Sequence, residues 1–475
     1  MPSREQNEWA NSGPELFLEL GRGSGKRAGV EEALRGAIRS GRLPRGTQLP
    51  PTRTLARDLG VSRGTVLQAY AQLTAEGWIA GRRGSSTVVA FEGDASGGPA
   101  VREPRPLRWR FDFRPGRPDS SSFPRGAWLR ALRHALADAP GDALAYGSAQ
   151  GQLALRTELA GYLSRARGLR VVAADLLITS GFTQSLGLVA RALAASGGGK
   201  VAMEEPSMPL HRAIVRAAGL ELVLLPVDDA GARVEELARA RDVGAVVLTP
   251  HRQHPTGATL SARRRSWLLD WTRSSNAFVV EDDYDGEFRY DSRPLGPLQG
   301  LDPSAVVYAG TASKTLAPGV RVGWLALPEA LRQRVAHEKE LADWGTSALE
   351  QLAFTELLRS GEYDRHIRKM RLRYRRRRDA LTRALAARTP QLEVLGSAAG
   401  LNLFVPLPDE ATEEDAIAAA GAAGIGLDGL AMGGYCESSR AAGLIIGYAA
   451  VAEHDFEHAA EQLVSVLERC KLRLI

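Results

Sequence analysis

Apolar residues recur at helical spacing near the start of the chain: Val30, Ala33, Leu34, Ala37 and Ile38 predict a first helix, stopped by Gly41. Leu43-Pro44-Arg45-Gly46-Thr47-Gln48-Leu49-Pro50-Pro51 reads as a turn-rich connector. Residues 54–59 form a second short helix closed by Gly60. Ser62 is an N-cap for a third helix, which buries Val66, Ala69, Tyr70 and Leu73 at i, i+3, i+4 and i+7 before Gly77 ends it. Trp78-Ile79-Ala80 and Thr87-Val88-Val89 pair as a hairpin around Arg82-Arg83-Gly84-Ser85. A Gly/Ser segment from Gly93 to Pro99 and a Pro/Arg-rich stretch to Arg110 have linker composition.

Beyond Phe113 the pattern changes. Short continuous apolar runs at 201–203, 222–225, 245–248, 278–280 and 305–308 alternate with helical stretches. Runs without polar alternation predict strands covered on both faces, hence a mostly parallel sheet in an α/β fold. After about residue 327 long helices dominate, with strands near 401–405 and 444–448, so a smaller α+β lobe follows. The expected organisation is an N-terminal extension at 1–25, a winged helix-turn-helix at 26–90 and a linker at 91–111. A body at 112–475 follows, its large lobe about 140–327 and its small lobe about 328–475.

A chain of 475 residues is too long for one core. Only Cys436 and Cys470 are present, without CxxC spacing, which argues against a disulfide scaffold or a cysteine zinc site and suits a reducing cytoplasm. The first twenty residues lack a cationic start followed by an apolar stretch, and no apolar run reaches membrane-spanning length, so neither a signal peptide nor a membrane partner is expected.

Charge separates the two halves. Residues 26–90 carry 11 Lys/Arg against 4 Asp/Glu, a net +7, while the whole chain is +6, leaving −1 elsewhere. A basic module on a near-neutral body suggests a polyanion partner for the module alone, against the plainer reading of a solvated basic surface. In a groove-reading geometry the third helix enters the major groove by its N-terminal end, presenting Ser62, Arg63, Gly64 and Thr65. Arg53 grips phosphate, and Arg82 and Arg83 reach backbone or minor groove. A second basic run, 368–378, reads better as an exposed-arginine helix, because Ile367, Met370, Tyr374 and Leu381 mark a buried face.

The module resembles the GntR family of bacterial regulators. Gly41-Arg42-Leu43-Pro44-Arg45-Gly46, Leu49-Pro50-Pro51-Thr52-Arg53, Leu59-Gly60-Val61-Ser62-Arg63-Gly64-Thr65-Val66 and Glu76-Gly77-Trp78 carry the resemblance. It implies double-stranded operator DNA as partner.

In the body, Lys314 stands in Gly310-Thr311-Ala312-Ser313-Lys314, seven residues before Arg321, with Glu281-Asp282-Asp283-Tyr284 about thirty residues upstream. A lysine amine, a carboxylate and an anion clamp are the parts needed to hold pyridoxal 5'-phosphate (PLP). Lys314 supplies the amine, Asp282 a carboxylate at a strand end, Tyr284 a hydroxyl and Arg321 a phosphate fork. The turn at Gly181, opening a helix with Phe182 and Thr183, cradles phosphate. Each alone has a plainer role, as surface charge, cap or packing. Together they resemble the fold-type I aminotransferases, and with the N-terminal module the MocR subfamily of GntR regulators. The resemblance implies that Lys314 forms the Schiff base, Asp282 pairs with the ring nitrogen and Tyr284 bonds the phenolic oxygen. It also implies that Arg321, with Thr311 or Ser313 and the Gly181 turn, holds phosphate. Tyr146, in Tyr146-Gly147-Ser148-Ala149-Gln150-Gly151, would reach the partner subunit's cofactor across a homodimer, and Met208 and His254 would flank the ring.

Three positions depart from the pattern: Met208 where a stacking aromatic is common, His254 where asparagine is common, and Ile445 where an arginine usually binds the substrate carboxylate. These changes weaken a transaminase reading and that of a sensor whose ligand carboxylate is held by arginines. They leave room for a PLP-sensing regulator of the PdxR type, or one answering a small amine or amino-acid effector. An aminotransferase with a DNA-binding appendage is the alternative.

Overall fold

The computed structural model describes residues 26–81, 87–91, 109–197, 199–290 and 296–470. The chain divides into two compact units, 1–107 and 108–475.

In the first unit, helices Lys26–Arg39, Thr52–Asp58 and Arg63–Ala75 are followed by strands Ile79–Gly81 and Thr87–Val89. The strands pair antiparallel with Ile79 opposite Val89. The four apolar positions read from the third helix are its buried ones: Val66, Ala69, Tyr70 and Leu73. They meet Val30, Leu34, Ala37 and Ile38 of the first helix in one apolar core. Ser62 caps the third helix, its Oγ accepting the Thr65 N–H at 3.1 Å, an interaction of about 1 kcal/mol. The Tyr70 hydroxyl donates to the Pro50 carbonyl at 2.9 Å, pinning the connector. Arg35 reaches Glu76 with two 2.9 Å bonds, tying the first helix to the end of the third.

In the second unit an eight-stranded sheet runs in the order Leu176–Thr179, Gly323–Ala326, Val306–Thr311, Phe278–Asp283, Val243–Leu248, Lys200–Glu205, Glu221–Asp228, Gly231–Ala232. The five strands from Val306–Thr311 to Glu221–Asp228 are mutually parallel, and Gly323–Ala326 is antiparallel to both of its neighbours. The continuous apolar runs follow from burial of both faces. Val247, Val280 and Val307 pack with Leu186 and Val189 of helix Phe182–Ala194. Their neighbours Val246, Val279 and Val306 pack on the other face with Leu268 and Leu269 of helix Ala262–Ser275. Period-two side chains thus feed two separate cores.

A second lobe holds strands Asn402–Leu407, Ala442–Gly447 and Asp428–Gly429 in one sheet, with helices Glu362–Arg388, Glu410–Ala422 and Phe456–Arg469. The chain start of this unit joins that lobe. Phe111–Asp112 pairs parallel with Ile425–Gly426, and Phe113 is fully buried in the lobe's core. Along the helix that carries the basic run, Ile367, Met370, Tyr374 and Leu381 are buried. Arg377 is buried too, 3.0 Å from Asp119 and 2.9 Å from Glu453, and Arg371 donates to the Glu287 carbonyl. Arg368, Lys369, Arg375 and Arg376 face solvent. Much of this charge therefore braces the lobe.

Candidate functional site

The C-terminal ends of the parallel strands open onto a cavity of about 620 Å³, the place where open α/β sheets bind ligands. Gly181, Phe182, Thr183, Met208, His254, Asp282, Tyr284, Thr311, Ser313, Lys314 and Arg321, all singled out in the sequence, line it together.

Strand periodicity sorts the acidic run. Asp282 faces the cavity. Glu281 takes the backbone N–H groups of Leu298 and Gln299. Asp283 accepts the Tyr308 hydroxyl at 2.6 Å and pairs with Arg167. Burial opposes the charge on Asp283, but Arg167 and its other partners hold it at about 2. Asp282 has no such partner: its Oδ1 is buried and makes no hydrogen bond. Burial, and then the charges of Asp283 and Asp285, push it well above the usual carboxylate range. A cationic N–H brought to this oxygen would relieve that penalty.

Lys314 follows strand Val306–Thr311 in a tight turn, and its Nζ donates to the Gly116 carbonyl at 2.7 Å. Burial lowers its proton affinity, partly offset by Asp282 and Asp285 and reinforced by Arg117. Tyr284 Oη accepts from Arg252 Nη1 at 3.1 Å.

At the opposite end Gly181, with φ +123°, begins helix Phe182–Ala194, whose N-terminus has no side-chain cap. A Cβ at Gly181 would lie 3.6 Å from the Arg321 guanidinium. The Thr311 and Ser313 hydroxyls sit 3.0 Å apart beside them. Unpaired helix N–H groups, two hydroxyls and a guanidinium form an anion cradle. Between the two ends lies His254, edge-on to Tyr284 and Tyr435 at 5.6 and 5.7 Å. Burial, with Arg252 and Lys314 nearby, lowers it to about 3, so it is neutral at ordinary pH. Met208 packs against Phe404, Leu430, Tyr435 and Ile445. The departure at Ile445 is therefore an apolar patch in strand Ala442–Gly447.

Sequence reading missed several members of this site. Arg114, Gly116 and Arg117 line the cavity from a stretch next to the expected linker. Asp428 and Tyr435 come from the second lobe, far along the chain. Arg252, fully enclosed, bonds Tyr284, the Asn402 side chain and the Asn402 carbonyl. Its one signal was position, two residues before His254. Glu204, buried and raised to about 7, lines the cavity and accepts the Thr249 N–H and hydroxyl.

Tyr146 is not at this cavity. Its ring is 92% exposed, 6.4 Å from Trp344, beside a different hollow. The helix-turn-helix residues lie on the first unit. Arg53, Ser62, Arg63 and Gly64 are exposed and Thr65 is half-buried. The Ser62 and Thr65 hydroxyls are 2.8 Å apart, so capping already uses part of their capacity. Arg82 and Arg83 lie outside the described residues.

Residues 118–427 match the family described as aminotransferase class I and II, and residues 26–89 match the bacterial regulatory proteins of the gntR family. The probable rhizopine catabolism regulatory protein MocR of Rhizobium meliloti is 32% identical over 88% of this chain and 89% of its own. The HTH-type transcriptional regulator YhdI of Bacillus subtilis is 31% identical over 90% and 92%. This chain belongs to the MocR-type branch of the GntR regulators. Among its relatives is the pyridoxine biosynthesis transcriptional regulator PdxR of Corynebacterium glutamicum, 33% identical over 74% of this chain and 76% of that one. Among solved structures, the kynurenine aminotransferase of Pyrococcus horikoshii superposes with a TM-score of 0.68 at 26% identity, over 76% of this chain and 91% of its own.

The MocR-type assignment makes the first unit a DNA-binding unit, and the aminotransferase fold of the second implies PLP. The cavity fits that group. It offers the amine of a half-buried lysine, an orphaned carboxylate and an anion cradle within one enclosure. Among the described residues no helix is long and apolar enough to cross a membrane.

Proposed function

We propose that this MocR-type regulator is PLP-responsive and controls transcription through its helix-turn-helix unit. One observation carries the reading: the Lys314 amine and the unpartnered Asp282 carboxylate face a single cavity in a chain that also bears a GntR unit. Bound PLP supplies an aldehyde reactive toward amines and a ring that withdraws electrons. Lys314 presents the amine, kept reactive by burial. Asp282 holds a proton at the ring nitrogen. Tyr284, steadied by Arg252, donates to the phenolic oxygen. Arg321, Thr311, Ser313 and the Gly181 turn bind phosphate. The effector is PLP itself or a small amine or amino acid that reaches Lys314.

The body dimerises in this reading. Two helix-turn-helix units then address paired half-sites, and Tyr146 completes the partner's cavity. Ile445 supports sensing over turnover, since no guanidinium stands there to anchor a substrate carboxylate. The name of the PdxR relative supports vitamin B6 as the regulated theme.

The test is a PLP titration of the purified protein, read by visible absorbance and by operator gel shift. A new absorbance band and a change in operator affinity of at least about fivefold are expected. A band without an affinity change sinks the regulatory part. Pyridoxamine formation with multiple turnover would favour the aminotransferase reading.

A further inference from the structure

The cavity has two ends, and one remains unexplained by cofactor binding. The phosphate end holds Gly181, Thr311, Ser313 and Arg321. The other end holds Arg114, Arg117, Asp428 and Tyr435. Ile445 leaves no cation on the Ala442–Gly447 strand, so anion recognition must come from elsewhere if an effector carries an anion.

The segment beginning at Phe111 brings two arginines, Arg114 and Arg117, to the cavity. Strand Phe111–Asp112 and the Phe113–Gly447 backbone bond anchor this segment to the second lobe. It then passes over Lys314, whose Nζ is held by the Gly116 carbonyl at 2.7 Å. Arg117 is the next residue, so its side chain starts one Cα–Cα step from the group that holds the amine.

The two arginines there are not equivalent. Arg114 closes on Asp112 with two bonds of 2.8 and 2.7 Å, and its fork is satisfied. Arg117 makes its nearest ion pair at 3.6 Å with that same, already engaged carboxylate, and half of its side chain is exposed. Asp428 would compete for Arg117. It already accepts the Gly429 N–H at 3.0 Å and the Tyr435 hydroxyl at 3.3 Å, and burial shifts it toward the neutral form. Arg117 thus lines the cavity with N–H groups that no close carboxylate occupies.

We infer that Arg117 determines effector specificity by binding the carboxylate of a small amino acid whose nitrogen takes the place of Lys314 Nζ. This deepens the proposed function and rests on it. In the exchange, a C=N bond forms between the cofactor carbon and the effector nitrogen and the bond to Nζ breaks. The two protons lost by the effector amine end on Nζ, which regains its bond to Gly116. The carboxylate meets Arg117 in a charge-assisted pair at the cavity rim. An amine without a carboxylate can make the same exchange but not this contact.

The experiment uses the full-length protein loaded with PLP. Its visible spectrum is titrated with glycine, β-alanine and 4-aminobutyrate, and with methylamine, ethylamine and propylamine, their decarboxylated counterparts. In the wild type the best amino acid should bind at least about tenfold more tightly than its amine. Arg117→Gln should bring that ratio to about one while the PLP band still forms, and Arg117→Lys should retain part of it. Equal affinities in the wild type, or a ratio that survives Arg117→Gln, overturns the assignment while leaving PLP binding in place. Failure of the wild type to form any band with PLP overturns both readings.

Discussion

The two units handle charge in opposite ways. The first leaves its candidate reading residues in water: Arg53 and Arg63 are exposed over a core of aliphatic residues and one tyrosine. The second draws charge inward. Glu281, Asp282, Asp283, Asp285 and Glu287 are all buried within seven residues, facing Arg167, Arg252 and Lys314. An exposed arginine in water keeps its hydration until a phosphate replaces it, which suits reversible, salt-sensitive reading of a polyanion. A buried amine or carboxylate has lost its hydration already, so its chemistry is set by the protein, which suits a covalent ligand. The recognition surface and the reactive site therefore require different environments, and the chain builds each in a separate unit.

That contrast can be broken by substitution. Lys314→Ala should abolish the PLP absorbance band and the borohydride-trapped adduct entirely, while the first unit keeps its intrinsic operator binding. An adduct surviving on the variant would mean that another amine does the capture. Leu34→Ala removes a fully buried side chain from the first unit and should cost about 2–5 kcal/mol there. Calorimetry should show the transition of that unit falling while the band and the body's transition stay put. Arg63→Ala should weaken operator binding by about 1–3 kcal/mol without touching the band, and unchanged affinity would remove Arg63 from the reading head. Ser62→Ala deletes the cap and should destabilise the first unit by about 1 kcal/mol, seen as a small shift in the same transition. A pH profile sharpens the other side. Burial lowers the Lys314 proton affinity, so more of it is free amine at a given pH than in a solvated lysine. The rate of PLP capture should rise with pH and level off below the ordinary lysine range. A rate that climbs through that range would place Lys314 in water.

Legibility in the sequence followed contact range. Every core residue named for the third helix is buried, because helical spacing and the next turn decide it. Asp282, Lys314 and the Gly181 turn were legible because strand ends and tight turns leave local marks. Arg117, Asp428 and Tyr435 were not, since they reach the cavity from a chain start and a second lobe that only folding brings together. Arg252 was hidden for a different reason: a buried arginine and a surface arginine are the same letter until its partners Tyr284 and Asn402 are placed.

Periodicity, turn residues and short motifs therefore determined the two-part architecture, the family and a lysine that lines the cavity. Tertiary structure decided which acid in the Glu281-Asp282-Asp283 run lacks a partner and which arginines are spent on internal carboxylates. It also decided which arginine remains open at the cavity rim. The physical reason is that desolvation and ion pairing depend on neighbours distant in the chain, whereas helix and strand patterns depend on neighbours a few residues away.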